Sequence, residues 1–355
     1  MRIRPLPIIA TLAFTTAGTA AAETAPHASW QLASHWPVSG STGWDYLALD
    51  AAAHRLFVTR SDHVAVLDIG SGKLLGEVRP TEGVHGVALA PALNRGYASN
   101  GKGDSVTVFD LKTLATLKTI SIQGHNPDAI VFDAPSAHVF TFNGHSNDAT
   151  VIDAKTDKSI ATIALAGKPE FAVSDGAGRV YVNIEDRSEL SEIDTHTNKV
   201  LATWPLTGCE EPSGLALDTA HHRLFSVCQN GQLAVTDAKS GRHVANVSIG
   251  KGPDAAGFDA QTQQVFSSNG EDGTLTVIHE DAPDRYTVLA NVPTQKSART
   301  LAIDPVSHRV FLAVAEFEPA PAAVAGKPRV RPTMKPDSFA ILVVAPAGSA
   351  GARGR

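Results

Sequence analysis

The chain has 355 residues, of which 43% are hydrophobic and 19% are charged, a composition typical of globular proteins with enough length for a large core. Its formal net charge of −6 at pH 7 argues against a nucleic-acid-binding protein, which would carry a basic surface. Beyond the N-terminal region no stretch is apolar for 18 residues, so the sequence predicts no membrane span.

The first 22 residues have the pattern of a secretory signal peptide. Arg2 and Arg4 precede an apolar stretch that ends near Gly18, and Ala20–Ala22 offers a small-residue cleavage site. We expect cleavage near Ala22–Glu23 and a mature protein that is periplasmic or secreted. An uncleaved N-terminal anchor is the alternative.

After this region one motif recurs seven times at a spacing of roughly 42 residues. Each copy holds four short β-rich runs separated by Gly, Asn, Asp or Ser, without the period of an amphipathic helix. Four strands per copy indicate one propeller blade. The sequence therefore predicts an all-β, seven-bladed β-propeller with four antiparallel strands per blade. A solenoid is the alternative, but it needs capping repeats, and the sequence shows none. The first runs end at Asp50, Ala90, Asp133, Asp175, Asp218, Asp259 and Asp304.

The two ends of the repeat region complement each other. The seventh copy has strands near Leu301, near Phe311 and from Phe339 to Val344, but no fourth strand follows. The segment Trp30–Val38 stands before the first copy, where a fourth strand belongs. We expect this N-terminal strand to complete blade seven and close the ring, which removes an open sheet edge. Residues 23–346 are then one domain.

One segment, residues 316–336, departs from the repeat. It contains five prolines and four basic residues, at the position of the loop between strands two and three of blade seven. Its composition predicts a flexible loop, with a lid or a docking arm for an acidic partner as the alternative. Residues 347–355 are expected to form a disordered tail.

With these features the chain resembles the bacterial YncE-like, or YVTN-repeat, seven-bladed propellers over about residues 30–345. The resemblance rests on the repeat length, on Tyr181-Val-Asn183, on the Val-Ile-Asp153 type of strand, and on Asn-Pro-Asp128 and Gly-Pro-Asp254 before first strands. It implies secretion and a propeller fold. It carries no agreed reaction, so no catalytic residues are transferred. Quinoprotein amine dehydrogenase chains and lactonase-like enzymes are related only by analogy of fold.

The repeat also predicts a ring of polar side chains at one mouth of the channel. These residues stand five positions before the end of each first run, in loops that enter the first strands on one face. With histidine neutral their net charge is −3, which favours a cation, a metal ion or a polar ligand. The alternative is a solvated ring that only satisfies backbone groups. The ring consists of Asp45, His85, Asp128, Glu170, Ser213, Asp254 and Arg299.

Arg60 is assigned to the same face. Together with Arg299 it could bind an anion, or either arginine could pair with Asp45 instead. Cys209 and Cys228, the only cysteines, lie on one face of blade five and are expected to form a disulfide in an oxidising compartment. A reactive thiol or a metal ligand is the alternative.

Histidines define a narrower hypothesis, a site for a divalent metal ion. His85, His125, Asp128 and His145 belong to loops on the mouth face of two neighbouring blades, and imidazole with carboxylate suits Zn²⁺ or Cu²⁺. The chain lacks the C-x-x-C-H motif, so it does not attach a c-type haem, and a divalent metal ion is the one cofactor that the sequence suggests.

The function we infer from the sequence is a ligand-binding or protein-interaction scaffold. Its partner would be a small ligand, a metal ion or a periplasmic protein, and we expect a monomer. The first alternative is a metal-dependent, lactonase-like enzyme using Asp45, His85, Asp128, Glu170 and Asp254. The second is a subunit serving a quinoprotein or cytochrome that supplies the cofactor. Phosphate-binding loops and nucleophile elbows are absent from the sequence.

Overall fold

The computed structural model of the protein describes residues 29–319 and 332–348. These residues form seven four-stranded sheets, one for each copy of the repeat. Blade one comprises β2 Leu47–Asp50, β3 Arg55–Arg60, β4 His63–Asp68 and β5 Leu74–Val78. Blade two comprises β6 Val84–Ala90, β7 Arg95–Asn100, β8 Ser105–Asp110 and β9 Thr116–Ser121. Blade three comprises β10 Pro127–Asp133, β11 His138–Asn143, β12 Asp148–Asp153 and β13 Lys158–Ala164.

The remaining blades follow in chain order. Blade four comprises β14 Pro169–Ser174, β15 Arg179–Ile184, β16 Glu189–Asp194 and β17 Lys199–Pro205. Blade five comprises β18 Pro212–Asp218, β19 Arg223–Cys228, β20 Gln232–Asp237 and β21 His243–Ser248. Blade six comprises β22 Pro253–Asp259, β23 Gln264–Asn269, β24 Thr274–Ala282 and β25 Arg285–Pro293. Blade seven comprises β26 Thr300–Ile303, β27 Val310–Val314, β28 Ala340–Pro346 and β1 Trp30–Pro37. Two 3-10 turns are Pro91–Leu93 and Glu185–Arg187.

Blade seven is assembled from both ends of the described chain. β1 is antiparallel to β28, with Trp30 opposite Pro346 and Pro37 opposite Ala340. The sheet order is β1-β28-β27-β26, whereas in every other blade the strands follow chain order. The predicted fold and its closure by the N-terminal strand are therefore confirmed.

The first strand of each blade lies innermost. Each contacts the first strand of the next blade, and the contact between β26 and β2 completes the circle. The backbones approach closely between blades five and six, where a Cβ at Gly214 would lie 2.5 Å from Ala255 Cα. Side chains between the sheets form the core, including the fully buried Phe57, Phe140 and Phe225. This packing fixes where each blade presents its loops.

The aspartates that end most third strands stabilise the turns to the fourth strands. In each of these turns the carboxylate accepts the backbone N–H groups two and three residues later, for example those of Lys112 and Thr113 at Asp110. Such local bonds explain why this residue type recurs. The others are Asp68, Asp153, Asp194 and Asp237.

The segment 316–336 is described only at its base. The amide of Glu318 donates to the Thr333 carbonyl at 2.8 Å, and that of Lys335 donates to the Glu316 carbonyl at 2.9 Å. The expected signal peptide (residues 1–22), most of the predicted loop and nearly all of the predicted tail lie outside the described residues. Within the described ranges, no helix has the length and apolar character that crossing a membrane requires.

Candidate functional site

The loops that lead into the first strands surround one end of the channel, and buried side chains hold their backbones. In three blades, the side chain of the fifth residue of the second strand donates a hydrogen bond to a backbone carbonyl in the next blade. The acceptor is in each case the carbonyl of that blade's predicted ring residue. Asn183, for example, donates to the Ser213 carbonyl at 2.8 Å. These bonds fix the ring residues relative to the sheets. The other two pairs are Ser99 with Asp128 and Ser268 with Arg299.

Three of the predicted ring residues converge on one point. Nδ1 of His85 lies 2.6 Å from Asp45 Oδ2 and 3.6 Å from Asp128 Oδ1. One ligand atom from each residue lies within 4.8 Å of the other two. Burial lowers the pKa of His85, but the hydrogen bond to Asp45 and the charge of Asp128 outweigh it, so the pKa is raised. The side chains offer two carboxylate oxygens and one imidazole nitrogen, a set suited to a divalent ion.

Two carboxyl groups of the ring are held in a buried, largely acidic environment. Burial raises the pKa of Asp128 to about 6, although His85 opposes this shift. Burial and the charge of Asp128 raise the pKa of Glu170 to about 8, more than Lys168 lowers it. Oδ1 of Asp128 is buried and accepts no hydrogen bond from the described residues. The mouth is therefore deficient in positive charge at this point.

Arg299 supplies positive charge to the side of the ring formed by blades six, seven and one. It forms an ion pair with Asp254, and its Nη2 lies 3.6 Å from Asp45 Oδ1 and donates to the Trp44 carbonyl at 3.2 Å. Burial raises the pKa of Asp254 despite this ion pair. The sequence left two roles open for Arg299, anion binding or pairing with Asp45. In the structure Arg299 is paired with carboxylates. Asp254 and Arg299 also line a cavity of about 330 Å³.

Ser213 and Arg60 do not present free polar groups to the mouth. The Ser213 hydroxyl is buried and donates to the Pro253 carbonyl at 3.1 Å. Arg60 is 0% exposed and donates to the carbonyls of Gly40 and Thr42 at 2.9 and 3.0 Å. Its guanidinium also lies 3.8 Å from the Phe339 ring centroid. The assignment of Arg60 to a ligand site is thus corrected, because its donors are used inside the protein.

The predicted metal site of His85, His125, Asp128 and His145 is divided in two. His85 and Asp128 belong to the group with Asp45. His125 instead lies 2.8 Å from Asp104, and its side chain is 65% exposed. With His145 it lines a separate open cavity of about 590 Å³. Gly101, which also lines that cavity, lies against the His85 ring, so the four side chains do not converge.

Cys209 and Cys228 form a disulfide in blade five, with Cα atoms 5.3 Å apart. Both cysteines are buried. The bridge joins the loop that leads into the first strand to the end of the second strand. It therefore fastens one segment of the mouth face.

Three residues near the ring carry roles that the sequence did not reveal. The Tyr46 hydroxyl lies 3.5 Å from Glu170 Oε1, and Lys168 Nζ lies 3.3 Å from Glu170 Oε2 and forms an ion pair with Glu185. Asp104 pairs with His125. Lys168 stands two residues before a ring position and Asp104 in a loop between strands two and three. They could have been found by also inspecting the loops between strands two and three and the positions one or two residues from each ring residue.

No model of a protein family and no curated protein matches this sequence. Among solved structures, a chain of Kuenenia stuttgartiensis hydrazine synthase has a TM-score of 0.67 at 16% identity, covering 78% of this chain and 94% of that chain. U3-55K has a TM-score of 0.72 at 10% identity, covering 87% and 97%. The RRP9 WD40 repeats have a TM-score of 0.72 at 9% identity, covering 88% and 97%. At such identities the likeness shows the propeller fold alone, and the YncE-like resemblance stays a prediction.

Proposed function

We propose that the chain is an exported, YncE-like binding scaffold whose ligand site is the channel mouth, and that a divalent metal ion binds there between Asp45, His85 and Asp128. The observation that carries the proposal is the convergence of their three ligand atoms within 4.8 Å. Export rests on the signal-like N-terminal sequence.

The charge balance of the mouth supports a cation. Asp45 and Asp128 flank a single imidazole, and the buried Oδ1 of Asp128 accepts no hydrogen bond from the described residues. A divalent ion there displaces the imidazole proton and gives this oxygen a partner. The hydrogen bond from the Ser99 hydroxyl of the preceding blade to the Asp128 carbonyl holds this position in place beforehand, which reduces the cost of ordering the ligands.

The test is metal binding by the mature chain after chelator treatment. Zn²⁺, Cu²⁺, Ca²⁺ and Mg²⁺ are added singly, and binding is followed by calorimetry and by elemental analysis of the dialysed protein. His85→Asn and Asp128→Asn should each remove one bound ion per chain. His125→Asn is the matched control, because His125 has a carboxylate partner but lies outside the group of three. Equal metal content in wild type and His85→Asn would overturn the proposal.

A metal-dependent hydrolase acting on a lactone is a second candidate, favoured by Glu170. Without metal the pKa of this side chain is raised to about 8. A cation bound at Asp128 would lower this pKa, so Glu170 could exchange a proton with a substrate near neutral pH. A metal ion beside it would polarise a substrate carbonyl. The likeness to a chain of hydrazine synthase adds only that a propeller of this kind occurs in an enzyme.

Turnover separates the two candidates. The metal-loaded protein is assayed against a panel of lactones, with Glu170→Gln as the variant that keeps the shape and loses the proton donor. Hydrolysis that needs the metal and falls in Glu170→Gln supports the enzyme. Metal binding without hydrolysis leaves the scaffold as the function.

A further inference from the structure

A second group of ionisable side chains lies at the other end of the channel, between blades five and six. Asp218 ends β18, His221 lies in the turn that follows, and Glu280 lies in β24 of the next blade. Nδ1 of His221 is 2.7 Å from Asp218 Oδ2 and 3.5 Å from Glu280 Oε1. The ligand atoms of the three residues all lie within 4.8 Å of one another.

Glu280 is an exception to the repeat. Its amide donates to the Gln263 carbonyl at 2.9 Å, just as the amide of Ala238 in blade five donates to the His222 carbonyl at 2.9 Å. The same bond identifies the equivalent residue in four other blades. All of these equivalents are buried and none is charged, so blade six alone of these blades places a carboxylate here. The equivalent residues in those four blades are Ile69, Leu111, Ala154 and Thr195.

The carboxylate of Glu280 lacks the partners that its burial requires. The residue is 1% exposed, and neither carboxylate oxygen has a hydrogen-bond partner among the described residues. Asp218 is buried as well. His221 is closer to Asp218 than to Glu280, so it does not neutralise both. Two facing, buried carboxylates cost several kcal/mol of folding free energy unless a proton or a cation lies between them.

Blades three and four show how the same junction is built without a second acid. There Asp133 takes the place of Asp218, and Thr195 takes the place of Glu280. Burial alone would raise the pKa of Asp133, but hydrogen bonds from the hydroxyl groups of Ser136 and Ser174 lower it. At the junction of blades five and six, burial and Asp218 raise the pKa of Glu280 to about 7. With Glu280 in place of Thr195, two carboxyl groups face each other in one buried pocket.

We propose that Asp218, His221 and Glu280 bind a divalent transition-metal ion that links blade five to blade six on the face opposite the mouth. One imidazole and two carboxylates suit Zn²⁺, whose ligand distances of about 2.0–2.2 Å require only small side-chain shifts from this arrangement. The His221 side chain is 33% exposed and provides the access route. The site is independent of the proposed function, because it shares no residue with the mouth.

The test uses the full mature chain carrying His85→Asn, which removes the mouth site from the measurement. After chelator treatment, Zn²⁺ is titrated by calorimetry and its effect on the melting temperature is recorded. One ion should bind per chain and raise the melting temperature. Glu280→Gln and His221→Asn should each weaken binding by at least about tenfold, since even outer partners of metal ligands have effects of that size.

The controls make either result decisive. His222→Asn changes a neighbouring histidine outside the group and should leave Zn²⁺ binding unchanged. Without metal, Glu280→Gln should fold at least as stably as its parent, because it removes a buried charge. His221→Asn alters only a part-exposed side chain and serves if the buried variant does not fold. Absence of Zn²⁺ binding in the His85→Asn parent, or binding that both variants retain, would overturn the proposal.

Discussion

Nδ1 of His85 in blade two lies 2.6 Å from Oδ2 of Asp45 in blade one. The pair crosses a blade boundary that is also fixed by the backbone, since the Tyr46 amide donates to the His85 carbonyl at 3.1 Å. Asp45 is held from its other side by Thr300 of blade seven, whose hydroxyl donates to the Asp45 carbonyl at 2.9 Å. The geometry of this pair is therefore set by three blades.

The first prediction concerns the ionisation of His85. In the metal-free protein the imidazole should titrate above 6.5, its ordinary pKa, because Asp45 and Asp128 stabilise the charged ring more than burial destabilises it. Asp45→Asn should lower this pKa. Two-dimensional NMR of the histidine rings, with the His85 signal assigned by its loss in His85→Asn, gives both values. A pKa at or below 6.5 in the wild type would contradict this account.

The second prediction is that Glu170→Gln stabilises the protein increasingly as the pH rises. Between pH 4.5 and about 8 the unfolded chain loses the Glu170 proton while the folded chain keeps it. Folding stability therefore falls with rising pH by about 1.4 kcal/mol for each unit of pKa displacement. Urea denaturation of both proteins at pH 5 and pH 8.5 measures the effect, and a difference independent of pH would count against it.

Glu77→Gln is the control of opposite sign. The hydrogen bond from Arg79 lowers the pKa of Glu77. The stabilisation by this carboxylate is therefore present above pH 4.5 and is lost as the pH falls through the folded-state pKa. Its effect should be small, because the ion pair lies near the surface.

The third prediction concerns the disulfide of blade five. The double variant Cys209→Ala, Cys228→Ala should unfold at lower denaturant concentration, with a loss of about 3 kcal/mol from the added freedom of the unfolded chain. Alanine is chosen because both positions are buried. Reductant should lower the stability of the wild type towards that of the variant and leave the variant unchanged. Sensitivity of the double variant to reductant would exclude this explanation.

The fourth prediction concerns ring closure. A chain that begins at Val38 lacks β1 and leaves β28 with an unpaired edge, so it should aggregate and lose cooperative unfolding. It also loses Trp30, whose ring packs against Phe266 of blade six at 5.0 Å. A chain that begins at Ser29 keeps β1 and is the control, which should stay monomeric and unfold cooperatively. Size-exclusion chromatography and thermal melting compare the two, and a monomeric, cooperative short chain would refute the role of β1.

The fold could be predicted because its determinants repeat. An aspartate at the end of a third strand and a small residue near the axis recur in most copies at similar spacing, so several weak signals reinforce one another. The missing fourth strand of the last copy pointed to the N-terminal segment for the same reason. Blade six departs from the pattern, with nine-residue third and fourth strands, and Glu280 lies where the repeat no longer guides an alignment.

Spacing predicted the ring of the candidate site but not the contacts of each side chain. Asp45, His85 and Asp128 occupy equivalent positions and converge as the repeat requires. Arg60 ends a second strand, and only the fold of residues 39–42 around it decides that its donors face carbonyl groups. The partner of His125, Asp104, lies in a loop of another blade. Such loop contacts have no period, so the sequence does not reveal them.

The pairing of β1 with β28 also determines how the molecule responds to mechanical load. Trp30 lies opposite Pro346, and the Ala347 amide donates to the Ser29 carbonyl, so the two ends of the propeller emerge side by side. Tension applied through them loads the strand pair from one end, and its hydrogen bonds break one after another rather than together. A partner that pulled on both ends would open the ring at blade seven while blades one to six kept all their strands.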